Sequence, residues 1–275
     1  MWFKKRQLSS GEPNKIALKG LLCFDFDGTL VDTKEEPRYH PGLTDRLRHL
    51  ESVGFMWAIV TGRGLEQTLD ALGSYGVNRV PHFVVAGEYE IFWQVPGGKW
   101  ADLNPWNKIT RRQQRGFLRQ HKKIFKRWQK ELPGVVEAEV FIRRDTAGVV
   151  AARTRHMAAV CEWLEQQQQA EAPTLGFQRN GRFLRFTLAG LGKGRAVMEL
   201  SRAIGLPLER VFVAGDNHND LSMLEMPAGF AACPANAVDE VRELVARRGG
   251  FVADKRASGG MIEAVDHYFA DELVR

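Results

Sequence analysis

The stretch Leu21-Leu22-Cys23-Phe24-Asp25-Phe26-Asp27-Gly28-Thr29-Leu30 constrains this chain more than any other. An apolar run ends abruptly in two carboxylates one residue apart, followed by a glycine and a hydroxyl. A strand buried on both faces reads as such a run, because a parallel sheet covered by helices shows neither face to water. In open α/β sheets, ligands gather beyond the carboxyl ends of the strands. Two aspartates at that edge repel each other unless a cation lies between them. The pattern therefore predicts a bound hard metal and chemistry on an anionic substrate. Asp and Gly are also ordinary turn residues, and the motif alone fits a strand that ends in a polar turn.

The rest of the chain alternates strand-like runs with helical periodicity. Residues 41–53 read as a helix, with Pro41 near its start and Gly54 as its stop. Residues 55–60 form a second strand closed by Thr61-Gly62-Arg63, followed by a helix at 65–75 and a third strand at 82–86. Regularity then falters. Pro96-Gly97-Gly98 is a strong turn signal between strand-like stretches at 89–95 and 99–103. A helix over 108–130, a strand at 137–143, a helix over 156–169 and a strand at 182–188 follow. From Gly190 the first pattern resumes, with a helix at 193–204 and a strand at 210–214 that ends in Gly215-Asp216-Asn217-His218-Asn219-Asp220. A helix through Leu224, a strand at 229–232 and a helix at 238–246 complete it. Two segments of one grammar flank an interior of another. The expectation is an α/β protein whose parallel-sheet core, residues 1–85 and 190–275, is interrupted by an α+β domain at 86–189.

Composition excludes some classes. The 275 residues, 44% hydrophobic and 26% charged, are those of an ordinary soluble globular protein. No apolar stretch approaches the roughly 20 residues that span a bilayer. The first ten residues carry basic groups but no apolar core after them, which argues against a secretory signal. Cys23, Cys161 and Cys233 are odd in number and far apart, as free thiols in a reducing cytoplasm are. The net charge of +6 suggests anionic partners. Much of the excess lies at 108–130, which has no acidic residue; Phe117, Leu118, His121, Ile124, Phe125, Trp128 and Leu132 recur there at helical spacing. Such a helix presents either a solvated basic face or a positive surface for a phosphorylated substrate, with nucleic acid the lesser reading.

Four clusters at strand or helix ends share one chemistry. Asp25 and Asp27 follow the first strand, Thr61 the second, and Asp216, Asn219 and Asp220 a later one, while Lys193 opens the helix after the interior. In a parallel sheet those strand ends point the same way, so distant residues converge. The set offers carboxylates for a divalent cation, a hydroxyl and amides for phosphate oxygens, and an ammonium for phosphate charge.

On the motifs Asp25-Phe26-Asp27-Gly28-Thr29, Thr61-Gly62-Arg63, Lys193-Gly194 and Gly215-Asp216-Asn217-His218-Asn219-Asp220, the chain resembles the haloacid dehalogenase superfamily of phosphotransferases. The resemblance covers essentially the whole chain and implies a Rossmann-like core. Because the interior lies between the second motif and Lys193, it is similar to the C2-capped (type IIB) branch, with its sucrose-, trehalose- and mannosylglycerate-phosphate phosphatases. The resemblance implies that Asp25 is the nucleophile, giving an aspartyl-phosphate, and Asp27 the general acid and base. It implies Mg²⁺ held by the Asp25 carboxylate, the Asp27 main-chain carbonyl and Asp216, with Asn219 and Asp220 supporting that shell. Thr61, the Gly62 amide and Lys193 would bind phosphoryl oxygens. Ala86-Gly87-Glu88-Tyr89-Glu90 is similar to the start of the cap in trehalose-phosphate phosphatases, although Tyr89 and Glu90 stand where His-Gly is expected. Glu88, Arg143 and Arg185, with Glu137, Glu139 and Arg182, are candidates for sugar hydroxyls, and each also suits a structural ion pair. The implied activity is a phosphatase on a small phosphorylated substrate, a sugar phosphate. A sugar phosphomutase on the same scaffold and a nucleic-acid-binding protein using the basic helix are the alternatives.

Overall fold

The structure, a computed structural model, describes residues 17–274. The first ten residues, read above for a secretory signal, lie outside them. The described chain begins with β1 (Gly20–Phe24), α1 (Pro41–Ser52), β2 (Phe55–Val60), α2 (Leu65–Ser74) and β3 (Phe83–Ala86), then β4 (Glu90–Gln94) and β5 (Trp100–Asp102). Next come α3 (Trp106–Gln120), α4 (Lys122–Glu131), β6 (Ala138–Ile142), β7 (Ala147–Ala151), α5 (Met157–Glu171), β8 (Leu175–Asn180) and β9 (Phe183–Leu188). It continues through α6 (Lys193–Ile204), β10 (Val211–Ala214), α7 (Leu221–Leu224), β11 (Phe230–Cys233) and α8 (Asp239–Arg247). β12 (Phe251–Val252), α9 (Ala257–Tyr268) and α10 (Ala270–Leu273) end it. No helix among the described residues is long and apolar enough to cross a membrane.

Eight strands form one sheet in the order β12-β11-β10-β1-β2-β3-β4-β5. The run from β12 to β3 is parallel, and β4 and β5 add to its edge antiparallel. All of β1 is buried, as the apolar run demands. β1 pairs with β2 on one side and β10 on the other, so the chain order reverses around it and opens a crevice at the carboxyl ends. Phe24 lies opposite both Ala214 and Ile59, which brings the three strand ends nearly level. Leu22, Phe24, Trp57, Ile59 and Phe212 pack with Leu43 and Leu47 of α1 and Met261 and Val265 of α9. Burial of each such side chain contributes about 1.5–3 kcal/mol, which fixes the sheet the site stands on.

The chain divides into two compact units. One takes the described chain up to Leu103, Lys193–Asp216 and the stretch from Asp220 onward; the other takes Asn104–Gly192 with Asn217–Asn219. The second unit has a four-stranded antiparallel sheet, β6-β7-β9-β8, whose inner face packs Phe117, Phe125, Trp128, Val149, Leu184 and Phe186. Gln114 of α3 clips helix to sheet: its amide N–H₂ donates to the Phe186 carbonyl and its carbonyl accepts the Leu188 N–H, both at 2.9 Å.

Three expectations differ from this arrangement. The sequence pattern assigns the hairpin at 89–103 to the interior domain, but β4 pairs with β3 through Ala86↔Glu90 to Phe83↔Trp93, so it extends the core sheet. The boundaries therefore fall at Leu103/Asn104 and Gly192/Lys193 rather than at 86 and 189. The helix at 108–130 is two helices that meet at His121, whose φ of −92° and ψ of 3° depart from helical values; its ring N–H also donates to the Phe117 carbonyl at 3.0 Å. Strands β7, β8 and β12 and helix α9 were not foreseen.

His82 ties β2 to the start of β3. Its Nδ1 accepts the Trp57 N–H at 3.3 Å, with Glu51 3.8 Å away and Arg79 nearby. Burial, helped by the Arg79 charge, pulls the imidazole down to about 4. A histidine held neutral in the fold stabilises it fully above its ordinary value near 6.5, and loses that contribution as pH falls toward 4. In His82→Asn, the melting temperature should fall less steeply between those two pH values than in the parent; equal slopes would show that His82 titrates normally.

Candidate active site

The site begins where β1 stops. Asp25 follows Phe24 and is buried, with its N–H donating to the Ala214 carbonyl of β10 at 2.9 Å. Asp216 and Asp220 follow β10, and the short turn His218–Asp220 folds back so that an Asp220 oxygen accepts the Asp216 N–H at 2.9 Å. Carboxylate oxygens of Asp25, Asp216 and Asp220 lie within 4.8 Å of one another. Lys193, at the first turn of α6 and fully buried, donates from Nζ to Asp25 at 2.5 Å and to Asp220 at 2.6 Å. Thr29 Oγ1 donates to Asp216 at 3.1 Å.

Gly28 lets the loop close. Its φ of +95° lies in the left-handed region, and a Cβ there would drive into the Asp216 carboxylate. The Asn236 amide donates to the Gly28 carbonyl at 2.7 Å and holds the turn from the other side.

Three carboxylates face one ammonium, so two negative charges remain when all are ionised. Burial first, then repulsion from Asp220, raises Asp216 to about 7 and pushes Asp25 well above the usual carboxylate range, although Lys193 pulls both back. Burial alone would lower the Lys193 ammonium, but Asp220, Asp25 and Glu88 outweigh it and raise it. A cluster short of positive charge, built of hard oxygen donors and cradled by a glycine, suits a small divalent cation such as Mg²⁺.

Asp27 is placed differently from the other carboxylates. Arg63 grips it as a fork, Nη2 to Oδ1 at 2.6 Å and Nε to Oδ2 at 2.7 Å, and the guanidinium lies over the rings of Phe26 and Tyr75 at 5.3 and 5.9 Å. The Asp27 side chain is therefore outside the three-carboxylate group, and Asp220, expected in a supporting place, is inside it. The sequence pattern alone gives Arg63 no role. The available signal was an arginine in a strand-end turn beside an aspartate at the neighbouring strand end. Replacing it with Lys removes the fork, so Arg63→Lys should cost about 1 kcal/mol in urea unfolding; an unchanged midpoint would show the pair to be idle.

Thr61 is buried just past β2, and its Oγ1 accepts the Arg63 N–H at 3.2 Å. Glu88 was expected in the interior domain, but it belongs to the core unit, because the chain does not leave the sheet until after β5. Its N–H donates to the Thr61 carbonyl at 2.9 Å, while Gly87 donates to the Arg63 carbonyl at 2.8 Å. The two strand-end loops are thus zipped together. Glu88 is buried with φ +78°, a strained value for a residue with a Cβ, and a Cβ on Gly62 would lie 2.6 Å from its Oε1. Asn219 is buried in the turn between Asp216 and Asp220. In the second unit, Arg185 alternates with buried Leu184 and Phe186 and so takes the other sheet face, while Arg143 follows β6 over the Phe141 ring at 5.9 Å.

The model of the haloacid dehalogenase-like hydrolases matches residues 112–263, more than half of the chain. The chain belongs to this family. Among curated relatives, a protein named phosphoglycolate phosphatase from Thermoplasma volcanium is 48% identical over 54 residues, covering 20% of this chain and 24% of the relative. The chain matches only about a quarter to a third of the length of the curated relatives. Solved haloacid dehalogenase-like folds match nearly end to end. The sucrose-phosphatase of Synechocystis superposes with a TM-score of 0.69 at 17% identity, covering 91% of this chain and 98% of that one. The subclass IIB sugar phosphatase BT4131 gives 0.57 at 19% identity, with 90% and 98% covered. The fold is thus an α/β parallel-sheet core with an inserted α+β domain.

Proposed function

We propose that this chain is a Mg²⁺-dependent phosphatase, acting in the cytoplasm on a phosphorylated sugar through an aspartyl-phosphate on Asp25. The observation that carries the reading is the meeting of Asp25, Asp216, Asp220 and Lys193 at the carboxyl end of the central strands. Names of relatives support the class: the curated ones include phosphoglycolate phosphatases, and the fold is shared with a sucrose-phosphatase.

In this reading Asp25 Oδ attacks phosphorus and the ester oxygen leaves. For the first transfer one Asp27 oxygen leaves the Arg63 fork and carries a proton, which it gives to the departing ester oxygen; the carboxylate so formed then takes a proton from the water that hydrolyses the acyl phosphate. Arg63 keeps its hold on the other Asp27 oxygen during both transfers, and closes the fork again on the ionised carboxylate. Lys193, Thr61 and the Gly62 amide bind phosphoryl oxygens, and Lys193 offsets the repulsion between a carboxylate and a phosphate dianion. Asp25, Asp216 and Asp220, with the Asp27 carbonyl, would hold Mg²⁺, which when bound supplies charge neutralisation at the transferring group.

A phosphate-release screen over sugar phosphates tests this. Release is expected with Mg²⁺, lost in EDTA and restored by excess Mg²⁺. Release indifferent to EDTA, isomerised sugar without free phosphate, or no turnover of any ester would overturn the reading.

A further inference from the structure

The cations of α3 and α4 form a stripe. Lys108, Arg112, Arg115 and Arg119 are spaced by four, three and four residues, so they share one side of α3 while Trp106, Thr110, Gln114 and Phe117 pack inward on the other. Lys122 and Lys126 carry the stripe onto α4. At a rise of about 1.5 Å per residue, the α3 charges succeed one another every 4.5–6 Å along the axis.

The turn after β6 completes the surface. Arg144 joins Lys108, Arg112, Arg115 and Arg119 in lining a groove of about 410 Å³. A second groove of about 630 Å³ shares Arg119 and Arg144, and adds Arg143, Lys122 and Lys126. Shared walls make the two one continuous track. All eight cations are exposed, and Asp145 is the one carboxylate in the lining. Among the described residues no ion pair engages any of the eight; Arg127, on another side of α4, pairs with Glu131 and Glu171 instead. A face kept only for solubility intersperses both signs, whereas this segment has no acid between Asp102 and Glu131.

We propose that this track binds single-stranded nucleic acid by its phosphate backbone, without reading sequence. A concave basic path of several charges suits a flexible polyanion, whose condensed counterions are released as each phosphate is met. A bilayer is disfavoured because Ile109 is the one large apolar side chain exposed on these helices, too little for insertion. The aromatic ring in the lining, Phe125, is fully buried, so no base-stacking platform is offered. Arg143, expected among sugar-binding residues, lines this track.

The test is fluorescence anisotropy of a labelled 20-mer oligouridylate with the full chain across a salt series. Each backbone contact adds about −0.7 to the slope of log K against log salt. The triple variant Arg112→Gln/Arg119→Gln/Arg144→Gln should flatten that slope by about 2 and weaken binding about 100-fold at 0.1 M salt. Lys122→Gln/Lys126→Gln, at the other end, should flatten it by about 1.4. Melting temperature should hold in both variants, since no ion pair is lost; if one unfolds, the other decides. Phosphate-ester hydrolysis should be unchanged, so failure here leaves the proposed activity standing. No binding at 50 mM salt, undiminished binding by both variants, or capture of anionic vesicles but not the oligonucleotide would overturn the proposal.

Discussion

Asp25→Asn should abolish multiple-turnover phosphate release, by on the order of 10⁴-fold or more, while leaving the protein at least as stable as the parent. An amide oxygen is a poor nucleophile toward phosphorus, so the loss of rate follows from the proposed acyl phosphate. The stability follows from the charge balance. Burial first, then Asp220, pushes the Asp25 carboxyl up against the pull of Lys193, so removing its charge relieves a desolvation cost and repulsion that together outweigh the attraction lost. Lys193 keeps Asp220 at 2.6 Å. Phosphate release and thermal melting on one preparation check both. Turnover near the parent rate would remove the nucleophile assignment, and a collapse in melting temperature would mark Asp25 as a structural anchor.

Lys193→Met should be the reverse case, costing both activity and fold. The ammonium is fully buried between Asp25 and Asp220, and its loss strands like charges without a counter-ion. Breaking a buried pair by deleting one partner typically costs about 3–5 kcal/mol, more than the attraction alone is worth, because the surviving charge keeps its desolvation penalty. The sign can be checked by pH. The stranded carboxylates are tolerated once protonated, so the stability gap between parent and variant in urea melts should narrow as pH falls. A gap independent of pH would show that Met costs through packing rather than charge.

Much of this site was legible in the sequence because strand ends are a short-range signal. β1 and β10 are apolar runs closed by acid, and parallel pairing turns that local pattern into a shared edge. What the sequence hid is whatever register and loop geometry decide. The Arg63–Asp27 fork joins two strand-end loops, and nothing in either loop names its partner. Asp220 enters the carboxylate group only because the turn at His218–Asp220 folds back on Asp216. Glu88 was misplaced for a related reason: alternation marks β4 and β5 as a hairpin but cannot say which sheet the hairpin joins. β8, Leu-Gly-Phe-Gln-Arg-Asn, is too polar to look like a strand, and the Gly259-Gly260 pair interrupts the helical pattern of α9.

The pairing of β1 with β10 also bears on how the chain is born. β2 can dock on one flank of β1 soon after synthesis, but the other flank waits for Val211–Ala214. At about 5–20 residues per second, the ribosome takes roughly 10–40 seconds to supply that partner. Throughout that interval Gly20–Phe24 offers a naked hydrophobic edge to any other nascent strand. A stalled or truncated product ending before β10 should therefore aggregate, and chaperone capture during translation should centre on this first strand.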